Sequence, residues 1–192
     1  AEIMAGSPIE RIELRNGTEL IETIRPEGPP GRRLCVVWEG SEYRGRGRET
    51  AWHGEIGLEG GTRWGAVTPI NRFNLDHRFE ADATTLRFQG VTTGGFQAME
   101  APLSDLDGTL RVDTGLVKAE VALRDLLAGE QTWEAGGLGR RMRAFLLPDA
   151  APAAMRFERR IPLTRDADNA LFLRATFEDG SVLWTSPVYL LP

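Results

Sequence analysis

The sequence predicts an all-β protein: a single antiparallel β-sandwich, immunoglobulin-like or jelly-roll-like, with negligible helix. Short runs of alternating apolar and polar residues recur along the chain, and the 22 glycines lie mostly between them, where they indicate turns. Only "RDLLAGEQ" could form a helical turn. A chain of 192 residues can bury about 70% of its unfolded surface, so we expect one domain over residues 1–192.

The clearest predicted hairpin is "TLRVDTGLVKAEVAL". A two-residue turn at Thr114-Gly115 would place Val112 opposite Val117 and give the hairpin one apolar face. The same pairing would place Arg111 and Lys118 together on the other face.

A second hairpin is predicted in "LFLRATFEDGSVLWTS", where Asp179-Gly180 is a strong turn signal. A two-residue turn there would place Ala175 opposite Trp184, so we expect Phe177 and Trp184 in the core.

"IERIELRNGTELIETI" has the Asn16-Gly17 turn signal, but its apolar positions do not pair cleanly, which indicates a β-bulge. Further strand-like runs are bounded by glycine, proline or acidic residues: 33–40, 51–60, 63–70, 85–93, 95–103, 140–148 and 155–163.

Charge argues against nucleic-acid binding. The net charge is −5, whereas domains that bind phosphate backbones are usually basic. The arginines of "RGRGRETAWHG" stand among glutamates, so this stretch has about as much negative as positive charge and is expected to be a solvated loop. No 18-residue apolar run and no signal peptide occur in the sequence, so we expect no membrane insertion.

The sequence predicts no catalytic residue and no cofactor. His53 and His77 are far apart and belong to no metal-binding motif. No GxSxG occurs, and "TTGGFQ" lacks the lysine of a phosphate loop. Cys35, the single cysteine, lies in the apolar run "LCVVW", where a buried position is expected.

Two acidic segments are weak candidates for calcium, because alternating oxygen ligands can surround a hard cation. Both stop after two or three ligands, and acidic residues also favour turns, which is the preferred interpretation. The candidate ligands are Asp105, Asp107, Asp166 and Asp168.

Tryptophans are the remaining candidates for a binding site, since exposed rings on a sandwich can stack against sugars. Trp38 ends an apolar run and is expected in the core. Trp52 and Trp64 stand near glycines and fit either the core or a sugar-binding platform.

Six blocks together resemble the C-terminal β-rich region of a family of uncharacterised bacterial proteins: "SPIERIELRNG", "RGRGRETAWHGEIGLEGG", "GVTTGGFQAME", "EAGGLGRRMRAFLLP", "RFERRIPL" and "DNALFLRATFEDGSVLWTSPVYL". The terminal segment "DGSVLWTSPVYL" is the most characteristic. In that family, the region follows a metal-dependent phosphoesterase-like domain of the polymerase and histidinol phosphatase type.

The resemblance implies that the family's metal ligands belong to a preceding domain of the same polypeptide and that none lies in this chain. We therefore expect a non-catalytic accessory domain, excised from the C-terminus of a longer protein, that packs against the catalytic domain or orients substrate towards it. The alternative is a carbohydrate-binding sandwich that uses Trp52 or Trp64. A weaker alternative is a hydrolase in its own right.

Overall fold

A computed structural model describes residues 1–161, 163 and 168–190. Seventeen strands, all in antiparallel pairings, form within these residues, and the helical structure described is one 3-10 helix, Leu123–Ala128. The predicted all-β antiparallel class and negligible helix are confirmed. The strands are β1 (Glu2–Met4), β2 (Ile9–Asn16), β3 (Glu19–Ile24), β4 (Pro30–Ser41), β5 (Thr50–Glu59), β6 (Thr68–Ile70), β7 (Phe79–Ala81), β8 (Thr85–Thr92), β9 (Phe96–Pro102), β10 (Thr109–Thr114), β11 (Lys118–Ala122), β12 (Gln131–Glu134), β13 (Leu138–Pro148), β14 (Ala154–Arg156), β15 (Asn169–Phe177), β16 (Val182–Trp184) and β17 (Val188–Leu190).

The strands group into two compact units. The central unit is Pro30–Asp149, and the terminal unit combines Ala1–Pro29 with Ala150–Pro192. A single domain over residues 1–192 stays a prediction.

The central unit is a sandwich of two five-stranded sheets. One sheet has the strand order β11-β10-β5-β8-β7, and the other has the order β12-β13-β4-β9-β6. Inward side chains of both sheets form one large apolar core. Trp38 in β4 and Phe88 in β8 meet in that core, with ring centroids 4.3 Å apart. The alternating pattern that predicted strands therefore also separates core residues from surface residues.

The sheet that contains β4 is buried on both faces. Leu34, Val36 and Trp38 face the main core, whereas Cys35 and Val37 belong to a second apolar cluster with residues of β9 and β13. This explains why "LCVVW" reads as an uninterrupted apolar run rather than an alternating one. The predicted burial of Cys35 is confirmed.

The terminal unit has a sheet with the order β16-β15-β2-β3, in which β17 also pairs with β15, and a separate β1-β14 ladder. Its core contains Ile9 and Ile12 from β2 and Ala175 and Phe177 from β15. The expected burial of Phe177 is confirmed.

The predicted hairpin of β10 and β11 forms, but its turn lies one residue later than expected. Val112 is opposite Ala119, and Asp113 is opposite Lys118, so Gly115 and Leu116 form the turn. The Thr114 hydroxyl fixes this turn by accepting a hydrogen bond from the Val117 N–H at 2.9 Å. The register moves by two residues, so the apolar face stays as predicted.

The hairpin of β15 and β16 corrects a core prediction. Phe177 N–H donates to the Ser181 carbonyl, so the loop contains three residues, and Gly180 takes a positive φ of 86°. Trp184 consequently pairs with Arg174 rather than Ala175. A shift of one residue reverses the face of a strand, and Trp184 is 59% exposed instead of buried.

The first hairpin has the predicted β-bulge, located between Leu14 and Arg15. The strand expected over 155–163 is mostly wrong, since only Ala154–Arg156 is a strand in the described part of that range. Residues 42–49 form the expected loop between β4 and β5. Its Arg44, Arg46 and Arg48 form no ion pair with a described residue, whereas the family resemblance implies that they pair with local carboxylates.

Candidate functional site

The outer face of the β5 sheet has an open pocket with a volume of about 550 Å³, here called the trough. Side chains that alternate with the core residues of β5, β8 and β10 line it. Its polar lining residues are His53, Glu55, Glu59, Arg78, Thr85, Arg87, Gln89, Arg111 and Asp113. The surface falls within the size range of small-ligand sites, about 300–1,000 Å³.

The floor of the trough lies at Gly57 in the central strand β5. Its neighbours Ile56 and Leu58 are buried in the core, so a side chain at position 57 would point outward. A Cβ there would meet only the Thr84 carbonyl oxygen, at 3.8 Å. The trough therefore exists partly because residue 57 has no side chain.

The charges of the trough are balanced and paired. Three arginines and three carboxylates line it. Arg87 Nε lies 3.1 Å from Glu55 Oε2, and Arg111 Nη1 lies 3.4 Å from Glu59 Oε1. These side chains are about half exposed, and such pairs typically contribute less than about 1 kcal/mol. Their N–H groups and oxygens can therefore exchange partners with a ligand at low cost.

His53 is exposed at one end of the trough, beside the turn of the β10-β11 hairpin. Its backbone carbonyl accepts a hydrogen bond from Gly115 N–H at 3.4 Å. A Cβ at position 115 would lie 3.3 Å from the ring atoms Cε1 and Nε2. The absence of a side chain at Gly115 thus leaves room for the imidazole of His53.

The terminal unit carries an exposed aromatic surface, here called the Trp184 surface. The Trp184 ring stacks against Phe172, with centroids 5.8 Å apart, and the Arg174 guanidinium carbon lies 5.2 Å from its centroid. Tyr189 of β17 pairs with Ala170, which places it on the same face as Phe172 and Arg174, and it is also exposed. Sequence reasoning missed this surface because the predicted hairpin register placed Trp184 in the core.

The same face of the terminal sheet contains a buried carboxylate, Glu13. Burial raises its pKa, but Arg11, Arg174 and Arg15 outweigh burial and hold the pKa below its ordinary value. The closest contact is Arg15 Nε to Glu13 Oε2, at 3.0 Å. Every group around Glu13 named here is cationic, so this cluster stabilises a carboxylate rather than a proton donor.

The calcium candidates Asp105 and Asp107 lie in a hydrogen-bonded turn. Asp105 accepts hydrogen bonds from the Thr62 hydroxyl, the Asp107 N–H and the Ser104 hydroxyl, and these bonds hold its pKa below the usual range. Asp107 forms an ion pair with Arg124. These contacts are those of a hydrogen-bonded turn, as preferred from the sequence.

Asp168 is exposed, and Asp166 lies outside the described residues. Within residues 1–161, 163 and 168–190, no three His, Cys, Asp or Glu side chains form a group that could hold a metal ion. His53 and His77 are not brought together into such a group.

The sugar-binding candidates Trp52 and Trp64 are core residues, with 1% and 5% exposure. Trp52 Nε1 donates to Thr92 Oγ1 at 2.8 Å, and Trp64 Nε1 donates to the Asp82 carbonyl at 2.6 Å. Each ring packs in the apolar core and satisfies its one donor there. The interpretation of these rings as an open platform is therefore wrong.

No protein-family model, no curated protein and no solved structure matches this chain. The resemblance to a phosphoesterase-associated region stays a prediction. In the part of the chain that the structure describes, no helix has the length and apolar character needed to cross a membrane.

Proposed function

We propose that this chain is a non-catalytic accessory module that docks onto a metal-dependent phosphoesterase-like domain of the same polypeptide through the Trp184 surface. The observation that carries the proposal is the exposure of Trp184 and Tyr189 on one face of the sheet of the terminal unit. Contiguous exposed apolar side chains indicate an interaction surface, and Trp, Tyr and Arg are the residues most enriched at binding hot spots.

The cation next to the ring also fits a docking role. Arg174 covers part of the Trp184 ring while its Nη1 contacts Glu13 at 3.4 Å. The guanidinium is therefore held in place before any partner binds. Phe172, which lies on the same strand as Arg174, stacks against the Trp184 ring. A preorganised aromatic side chain loses little conformational entropy on association.

The choice of a phosphoesterase-like domain as the partner rests on the family resemblance. It covers nearly the whole chain, and its most characteristic segment, "DGSVLWTSPVYL", contains Trp184 and Tyr189. Trp52 and Trp64 do not support the carbohydrate alternative, because neither ring is exposed.

The test is a calorimetric titration of this chain with the phosphoesterase-like domain encoded in its full reading frame. We expect association, and we expect Trp184→Ser to weaken it at least tenfold. Phe73→Ser is the matched control, because Phe73 is an exposed aromatic residue of the central unit. A reading frame without such a domain, no association, or equal effects of the two variants would overturn the proposal.

A further inference from the structure

We infer that the trough on the central unit binds a neutral carbohydrate, with Gly57 as its floor and the ion pairs Glu55–Arg87 and Glu59–Arg111 as its walls. This site is separate from the Trp184 surface, and the inference does not depend on the proposed docking function.

The first argument is the position of a glycine in the middle of a strand. Glycine weakens a strand interior and usually marks a bulge, a sharp bend or a place where a ligand or another backbone approaches closely. The pairing of β5 with β10 continues without a register shift through Gly57, and Gly57 also forms the last pair of β5 with β8. The space above Gly57 is open rather than filled by backbone, since the one atom within 4 Å of a Cβ is 3.8 Å away. Close approach of a ligand is the remaining explanation.

The second argument is the chemistry of the walls. A guanidinium offers up to five N–H donors, and a carboxylate offers acceptors at two oxygens. Arg87 lies directly opposite Glu55 on the neighbouring strand, whereas Arg111 lies opposite Gly57 and contacts Glu59 diagonally. A sugar hydroxyl both donates and accepts, so a row of hydroxyls matches alternating donors and acceptors without requiring net charge.

The same walls argue against other ligands. A phosphate or another anion would approach three carboxylates as closely as three arginines. An extended peptide that adds to a sheet needs free backbone groups, but β5 is paired on both sides by β10 and β8. An apolar ligand would have to displace water from six charged side chains. A neutral polyhydroxylated ligand carries no charge that the carboxylates repel and needs no free backbone groups, and its hydroxyls replace the hydrogen bonds of the water that it displaces.

The test is affinity electrophoresis of the whole chain in gels that contain soluble xylan, glucomannan, mixed-linkage β-glucan, dextran or starch. Heparin and polyphosphate gels measure anion binding. We expect at least one neutral polysaccharide to retard the wild type, and neither anionic polymer to do so. Gly57→Leu fills the floor of the trough and should weaken the neutral interaction at least tenfold.

Gly95→Leu is the matched control, because Gly95 has no atom within 4 Å of a Cβ and lies outside the trough. The double variant Glu55→Gln with Arg87→Gln removes both charges of one wall while leaving polar side chains, and it should weaken binding at least threefold, which tests the walls even if Gly57→Leu does not fold. The inference is overturned if no neutral polysaccharide retards the chain or if only the anionic polymers do. It is also overturned if binding survives in folded Gly57→Leu or in the double variant, or is lost instead in Trp184→Ser.

Discussion

Trp184 lies directly opposite Arg174 across the β15-β16 ladder, and the guanidinium carbon of Arg174 is 5.2 Å from the centroid of the indole ring. This pairing fixes which side chains of the last hairpin lie on its exposed face. It places the largest side chain of β16 on the exposed face, where it is available to a partner.

Trp184→Ala should reduce the free energy of unfolding by less than about 1 kcal/mol, because the ring has lost little contact with water in the folded state. Trp38→Ala should cost about 3–5 kcal/mol, since Trp38 is buried between the two sheets of the central unit. Urea denaturation followed by circular dichroism compares the two. A larger loss for Trp184→Ala than for Trp38→Ala would contradict the assigned register.

Gly54→Ala and Gly57→Ala form a matched pair within β5. Gly54 has a φ of 154°, and a Cβ there would lie 2.3 Å from the Asp113 carbonyl oxygen. We expect Gly54→Ala to destabilise the protein by more than about 1 kcal/mol. Gly57→Ala should be neutral or stabilising, because its Cβ meets open space. Thermal denaturation of both variants checks the difference, and equal midpoints would be inconsistent with this geometry.

Glu13→Gln should change the response of the protein to acid. The folded state lowers the Glu13 pKa from 4.5, so the carboxylate contributes stability that is present above about pH 4.5 and is lost as pH falls through the lowered pKa. The variant should be less stable than the wild type at pH 7, and this difference should shrink below pH 4.5. Urea midpoints measured from pH 3 to pH 7 test this. A difference that does not change with pH would show that the carboxylate charge is not the cause.

The isolated chain should hydrolyse no phosphate ester, with or without manganese or zinc. His53 and His77 are the two histidines of the chain, and such a site needs several convergent ligands. Assays with generic phosphate monoesters and diesters and a metal panel are sufficient. Turnover that His53→Ala or His77→Ala abolishes would establish the hydrolase alternative.

Alternation of apolar residues and glycine turns predicted the fold class well, because both depend on local backbone geometry. Register was harder. In the β10-β11 hairpin the predicted pairing put Arg111 opposite Lys118, two like charges, whereas the structure pairs Asp113 with Lys118 at 3.2 Å. That electrostatic signal was present in the sequence and would have identified the turn.

The candidate sites could not be found from the sequence for a different reason. Whether a tryptophan near a glycine is buried depends on which sheet covers it, and that is decided by pairings distant in sequence. Trp52 and Trp64 are covered, whereas a one-residue change of loop length exposes Trp184. The trough likewise combines side chains of β5, β8 and β10 that no short motif connects.

The pairing of β2 with β15 has a consequence for biosynthesis. Asn16 and Asn169 are 153 residues apart, yet the side-chain amide of Asn16 donates to the Asn169 side-chain oxygen at 2.9 Å. On the ribosome, residues 30–149 can collapse as soon as they emerge, because all their strand partners lie within that range. The apolar residues of "IERIEL" in β2 lack their partner strand until β15 has been translated. Among the strands described, β2 would therefore be the longest-lived target for a chaperone that protects nascent chains.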